Sequence, residues 1–299
     1  MKRGHRTLGG VAFDILNTVV LTLFTLLCIF PFYYIFINTI SDNSLVAKGK
    51  VLFLPLNVQL SNYSQVFHID GLWQAAGISL GRTLLGTALT LLGSSFLGYA
   101  LGRREMWKRA LWYRFVVITM YFNAGIIPWF VTMKMLGMVD NFLAYILPGM
   151  VAPFYLILFK TYFEQIPASL EESAQVDGAG YIVRFANIIL PLSLPILATI
   201  AIFSSVGQWN SFIDTLFLAR TSKLFTLQFL LYQYLNEVNA LAATLRSSPT
   251  AANLDPSRLL TPSSIRMTIS MIVVLPILFV YPFFQKFYVQ GIMIGAVKG

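Results

Sequence analysis

Residues 166–195, IPASLEESAQVDGAGYIVRFANIILPLSLP, form the longest charge-bearing interruption of the hydrophobic pattern in the second half of the chain. Pro167 stands near a helix start, Glu171 and Glu172 fall in the first turn, and Gly178 lies past the end. These are start and stop signals, so the stretch predicts a short helix, a turn and a second helix that re-enters apolar sequence through Leu190 and Pro191. Everything on either side reads as membrane. A short helical hairpin on a membrane surface is a docking element.

Composition agrees with that reading. With 57% hydrophobic and only 11% charged residues, the chain cannot clothe a soluble core of its size and falls among polytopic membrane proteins. The net charge of +9 raises nucleic-acid binding, but the basic residues are scattered between apolar runs and form no continuous stripe, which excludes that class. Cys28 is the single cysteine and sits in the first apolar run, so there is no intrachain disulfide and no thiolate metal cluster.

Working outward, the chain predicts an all-α fold of six transmembrane helices. A cytoplasmic tail, residues 1–14, precedes a charge-free run from Ile15 to Ile37, longer than the roughly 20 residues a bilayer requires and too long and aromatic for a cleaved signal. Asn38 to Gly81 reads as an exposed connection. Further spans are expected over 83–102, 111–133, 142–160, 188–208 and 266–286, within one membrane domain at 15–288 that carries a cytoplasmic loop at 163–187 and ends in a tail at 289–299. Gly86, Thr90, Ser94, Gly98 and Gly102 recur every four residues on one face of the second span, which lets a neighbouring backbone approach. The fragment from Gly81 to Thr87 lacks the Gly-Lys-Ser/Thr ending of a phosphate loop, so no nucleotide site is read there.

Short connections set the orientation. Lys2, Arg3 and Arg6, then Arg103, Arg104, Lys108 and Arg109, face only Lys134 beside the opposite short turn; this places both termini and the Glu171 stretch in the cytoplasm. Longer outer segments also carry basic residues, including Arg82, Arg220 and Lys223, but charges in long translocated segments orient weakly. No catalytic constellation emerges. His5 and His68 belong to no spaced ligand set, no metal site is legible, and Asp14 and Asp214 read as interfacial charges near helix ends. Without ionisable groups near the midplane, the chain is no proton-coupled carrier, and its energy source lies elsewhere.

Glu172-Ser173-Ala174, Gly178, Ile188, Leu190 and Pro191 resemble the EAA signature of binding-protein-dependent ABC importer permeases, departing only at Ser173, where that family has Ala. The resemblance implies a type I importer membrane domain whose coupling helix sits in a cleft of a separate ATPase subunit. It assigns Glu171, Glu172, Ser173, Ala174, Asp177, Gly178 and Ala179 to ATPase coupling. It implies a second homologous permease subunit, two ATPase subunits and an external solute-binding protein as partners. ATP and Mg would reside on the ATPase subunits, with no cofactor on this chain.

Residues 121–128 (YFNAGIIP), 209–212 (WNSF) and the ending GIMIGAVKG look like carbohydrate permeases of the maltose-permease-like group. That similarity implies an oligosaccharide substrate, with an acidic one such as an alginate oligosaccharide among the candidates. Aromatic faces beside amides suit sugars, which makes Tyr121, Asn123, Gln208, Trp209 and Asn210 candidates for the substrate path, although Tyr and Trp at helix ends also serve as interface anchors. Gly295, Lys298 and Gly299 are candidate C-terminal ATPase contacts, with a frayed terminus as the alternative. Two rivals stay open: a permease for a peptide or polyamine, and a membrane enzyme acting on lipid-linked sugar.

Overall fold

The computed structural model describes residues 8–236 and 264–279, and every regular element among them is helical. In chain order these are α1 (Leu8–Thr39), α2 (Asn43–Ala47), α3 (Ser61–Phe67), α4 (Leu72–Gly102), α5 (Arg109–Tyr121), α6 (Ile126–Met135) and α7 (Pro153–Phe163). They continue with α8 (Ala168–Val176), α9 (Tyr181–Arg184), α10 (Leu190–Leu192), α11 (Leu194–Asn210), α12 (Ile213–Leu218), α13 (227–236) and α14 (Ser264–Phe279). The described residues form two compact units, one of 8–69 with 234–236 and 264–273, the other of 70–233 with 274–279.

In the first unit α1 shows its apolar side chains over most of its length, Leu27 being 72% exposed, as a lipid-facing helix does. The expected exposed connection from Asn38 to Gly81 is exposed only in part. Asn38, Thr39, Ser41 and Asn62 are all buried. Asn62 Nδ2 donates to Thr39 O at 3.0 Å, Thr39 Oγ1 lies 2.9 Å from Tyr63 Oη, and Ser41 Oγ donates to Ile37 O while accepting from Leu56 N. Polar residues can be buried when most of their groups find partners, as here, where Asn38 Oδ1 and Asn62 Oδ1 are the exceptions, so composition alone misleads there. Asp42 starts α2 by accepting from the N–H groups of Ser44 and Leu45.

The second unit is organised on α4, which packs along both α7 and α11. It begins at Leu72, not at Thr83, because Arg82 does not end the span: its charge is neutralised inside the unit, and the helix runs through it. Two other expected spans are broken. The run 111–133 is two helices bent by 117°, with Asn123 Oδ1 accepting from Gly125 N at 2.8 Å and Gly125 at φ +87°, a conformation that favours glycine. The run 142–160 holds a short 3-10 turn, Phe142–Tyr145, then irregular chain around Pro148, and becomes helical only at Pro153, which occupies the first helical position. The freed carbonyls of Gly149 and Met150 are satisfied by the α4 stripe: Thr90 Oγ1 donates to the first at 2.8 Å and Ser94 Oγ to the second at 3.4 Å. Irregular backbone at membrane depth is tolerated when protein covers it in this way. The helical path from Tyr181 to Asn210 begins before the expected 188 and bends by 83° between Leu192 and Leu194. The expected last span, 266–286, is described only to Phe279, where α14 ends.

Asp140, at φ +55°, ties the turn after α6 to the chain after α12. Its Oδ1 accepts from Thr221 N, Thr221 Oγ1 and Arg220 N, and these bonds, the Thr221 backbone bond foremost, hold its carboxyl below the ordinary 3.8. A carboxylate with a lowered folded pKa supports the fold fully above its unfolded value and loses that support as pH falls through the folded one. Amide exchange at Arg220 and Thr221 is therefore expected to rise, relative to other loops, only once the pH drops below 3.8. In Asp140→Asn, whose amide oxygen accepts without titrating, that pH step should vanish; a step that persists would assign it to another group.

Candidate functional site

The hairpin forms between its start and stop signals, with Glu171 in the first turn of α8 and Glu172, expected there too, one residue beyond it. α8 closes with Ala179 N donating to Ala174 O at 2.9 Å and Gly178 N to Gln175 O at 3.0 Å, with Gly178 at φ +83°. This pair of bonds is a Schellman motif, and the left-handed residue in it is the glycine. Along α8 the side chains divide. Glu172, Ser173 and Asp177 are exposed, Ala174 and Ala179 are half-buried, and Val176 is 88% exposed, so α8 offers two acids and an apolar residue outward. Glu171 points the other way and is 5% exposed. Its Oε2 accepts from Tyr99 Oη at 2.8 Å and its Oε1 pairs with Arg103 Nη1, both at the end of α4.

The second arm closes back on the first. Arg184 Nη1 donates to Gln175 Oε1 at 3.0 Å, and the Arg184 guanidinium lies 4.4 Å from the Tyr181 ring centroid. Nearby, Glu164 receives Arg109 and, at 2.9 Å, Lys160 Nζ. The basic segment 103–109 thus contributes two of its arginines to fixing the loop, in addition to its charge.

Within the same unit lies a polar cluster that the sequence does not announce. Arg82 is 2% exposed and donates from Nη1 to Asp214 Oδ1 at 3.0 Å and from Nη2 to Asp214 Oδ2 at 2.5 Å. Nε and Nη2 also reach Gln208 Oε1 at 3.3 and 3.1 Å, Nη1 reaches Ser211 O at 3.2 Å, and the Tyr145 ring centroid is 4.6 Å from the guanidinium. The group lines a cavity of about 300 Å³ with Thr90, Trp129, Tyr155 and Ser204. A second cavity of about 540 Å³ at the α5–α6 bend is lined by Asn123, Phe122 and Pro128, and shares Trp129 and Ala152 with the first.

Of the candidates for the substrate path, Gln208 and Asn123 line these adjoining cavities. Tyr121 is 80% exposed at the end of α5, Trp209 is half-buried, Asn210 is exposed at the end of α11, and none of the three lines either cavity. Gly295, Lys298 and Gly299 lie outside the described residues. Two readings are corrected: Arg82 is a buried helix residue, not a charge of an outer connection, and Asp214 is its ion-pair partner, not an interfacial charge. Sequence reasoning also missed Tyr99, Arg103 and Arg184. The available signal was Arg82 itself, since a charge continuous with an apolar helix demands a partner.

The likeness to known proteins extends along nearly the whole chain. Residues 94–294 match the family described as binding-protein-dependent transport system inner membrane component. Protein LplC of Bacillus subtilis (strain 168) is 36% identical over 297 residues, covering 99% of this chain and 98% of that protein. The polygalacturonan/rhamnogalacturonan transport system permease protein YtcP of the same organism is 34% identical, over 96% of this chain and 98% of its own length. A solved structure, of a bacterial ABC transporter involved in the import of the acidic polysaccharide alginate, matches with a TM-score of 0.82 over 95% of this chain and 99% of that one, at 29% identity. Long apolar helices, an outward-facing α8 closed by Gly178 and a family match across most of the sequence agree, and this chain belongs to the binding-protein-dependent transport system inner membrane components, the multi-pass membrane permeases of ABC importers.

Proposed function

We propose that this chain forms half of the alternating-access pathway of an importer for an acidic oligosaccharide. It would be paired with a second homologous permease subunit, two ATPase subunits and an external solute-binding protein. The observation that carries the substrate class is the near-full-length likeness to a permease chain of an alginate importer, and YtcP, named for polygalacturonan, points to the same chemistry. Adjoining cavities with Trp129, Tyr145 and Tyr155 beside Gln208 and Asn123 supply the flat faces and amides that sugars favour.

Energy enters through the hairpin. The exposed Glu172, Ser173 and Asp177 would meet the ATPase surface, Ala174 and Ala179 allow close approach, Gly178 makes the reversal, and Glu171 holds the helix from behind. This reading places the hairpin and both termini in the cytoplasm, as the basic short connections require.

Combining Glu172→Ala with Gly178→Pro tests the coupling. Proline fixes φ near −65° and cannot adopt the +83° of Gly178, so the turn must change. Co-purification of the ATPase, or its substrate-stimulated hydrolysis, is expected to be lost; retention of both would overturn the assignment. Substrate class is tested with the reconstituted complex and its binding protein: uronic-acid oligosaccharides are expected to stimulate hydrolysis more than neutral ones. Stimulation by peptides or polyamines alone would reject the sugar reading.

A further inference from the structure

We infer that Glu171 is a positioning residue that clamps the docking hairpin onto α4, so that α4 is the lever carrying hairpin movement to the Arg82–Gln208–Asp214 cluster. The inference rests on the coupling reading above and assigns the two adjacent glutamates different tasks. Neighbouring residues on a helix point about 100° apart. Glu172 accordingly faces out, whereas Glu171 is buried and has both carboxylate oxygens occupied by α4 residues.

Both arms of the hairpin hold the same point on α4. The first arm does so through the Glu171 carboxylate on Tyr99 Oη. The second does so through Phe185, whose ring centroid lies 5.2 Å from that of Tyr99 and 5.6 Å from that of Phe96. Arg103 completes the clamp by pairing with Glu171 while its guanidinium sits 4.6 Å from the Tyr99 ring centroid. Tyr99 is thereby locked in a core with Phe159, Phe163 and Ile189.

From Tyr99, α4 runs as continuous helix to Arg82, about 25 Å at the helical rise per residue. The covalent route from the hairpin to Gln208 is less direct, passing a π turn at Phe185–Ile189 and the 83° bend before α11. Bends and π turns are where helices yield. An unbroken helix gripped at one end and ion-paired at the other transmits displacement with less loss.

The test uses the full reconstituted importer, reading substrate transported per ATP hydrolysed and normalised to purified complex. Glu171→Gln and Arg103→Gln are each expected to lower this ratio about tenfold, within the usual range of coupling between sites. The double variant should fall no further than the worse single one, because the two residues act through one contact. Tyr99→Phe keeps the ring and its packing and removes only the hydroxyl, so a lowered ratio there cannot come from an unfolded core. Wild-type ratios in Glu171→Gln and Tyr99→Phe, or losses that multiply in the double variant, would overturn the inference. If those variants are silent while the Glu172→Ala, Gly178→Pro complex is uncoupled, the clamp alone fails; if that complex is also normal, the coupling reading fails with it.

Discussion

Replacing Arg82 by methionine is expected to destabilise the permease by about 3–5 kcal/mol, the cost of removing one partner from a buried ion pair. All five guanidinium N–H groups are used: two on Asp214, two on Gln208 and one on the Ser211 carbonyl. Methionine fills a similar volume and leaves the Asp214 carboxylate, its side chain 15% exposed, without its counter-charge. Lysine is expected to recover only part of the loss, since a point charge cannot fork across carboxylate, amide and carbonyl together. In Arg82→Met with Asp214→Asn, no buried charge is left behind, so the double variant should be more stable than Arg82→Met alone. The apparent melting temperature of the importer in lipid nanodiscs measures all three. An unchanged melting temperature in Arg82→Met would mean that the pair holds nothing together.

This cluster marks where the sequence stopped being legible. Helicity, membrane insertion and the hairpin follow from local signals: apolar length, Glu171 in the first turn of α8, and Gly178 in a position that needs positive φ. Those signals act within a few residues and can be read one stretch at a time. Arg82 and Asp214 are far apart in sequence, and each alone looks like a boundary charge; only the packing of α4 against α11, with Asp214 just beyond it, makes them a neutral unit inside the protein. The same holds for Glu171, whose role depends on Tyr99 and Arg103 from another helix. The bends were legible in part. Pro148, Pro153 and Gly125 are visible breakers, but hydropathy averages over them and returns one span where the chain makes two pieces. At the Asn38–Asn62 segment the error runs in the opposite direction, because Asn38, Thr39, Ser41 and Asn62 are buried with most of their polar groups paired.

The small-residue stripe of α4 gives the second large expected effect, and its positions are not equivalent. A Cβ built on Gly98 would lie 2.9 Å from both Leu156 O and Phe159 Cβ and 3.2 Å from Lys160 N, so it meets α7 largely at backbone, which cannot rotate away. Gly98→Val is therefore expected to cost about 1–3 kcal/mol or more through overpacking, and to part α4 from α7 next to the Tyr99 clamp. At Gly102 nothing lies within 4 Å of the added carbon, so Gly102→Ala should be close to neutral although it belongs to the same four-residue repeat. Gly86 is intermediate: its Cβ would meet the Gln208 side chain at 2.6 Å, and that side chain moves only by loosening its bonds to Arg82. Gly86→Ala should consequently weaken the Arg82 cluster without separating the helices. Melting of the three variants, with accessibility of a cysteine placed at Leu156, separates the cases. Equal losses at Gly98 and Gly102 would show that the close approach of α7 does not set the requirement for glycine.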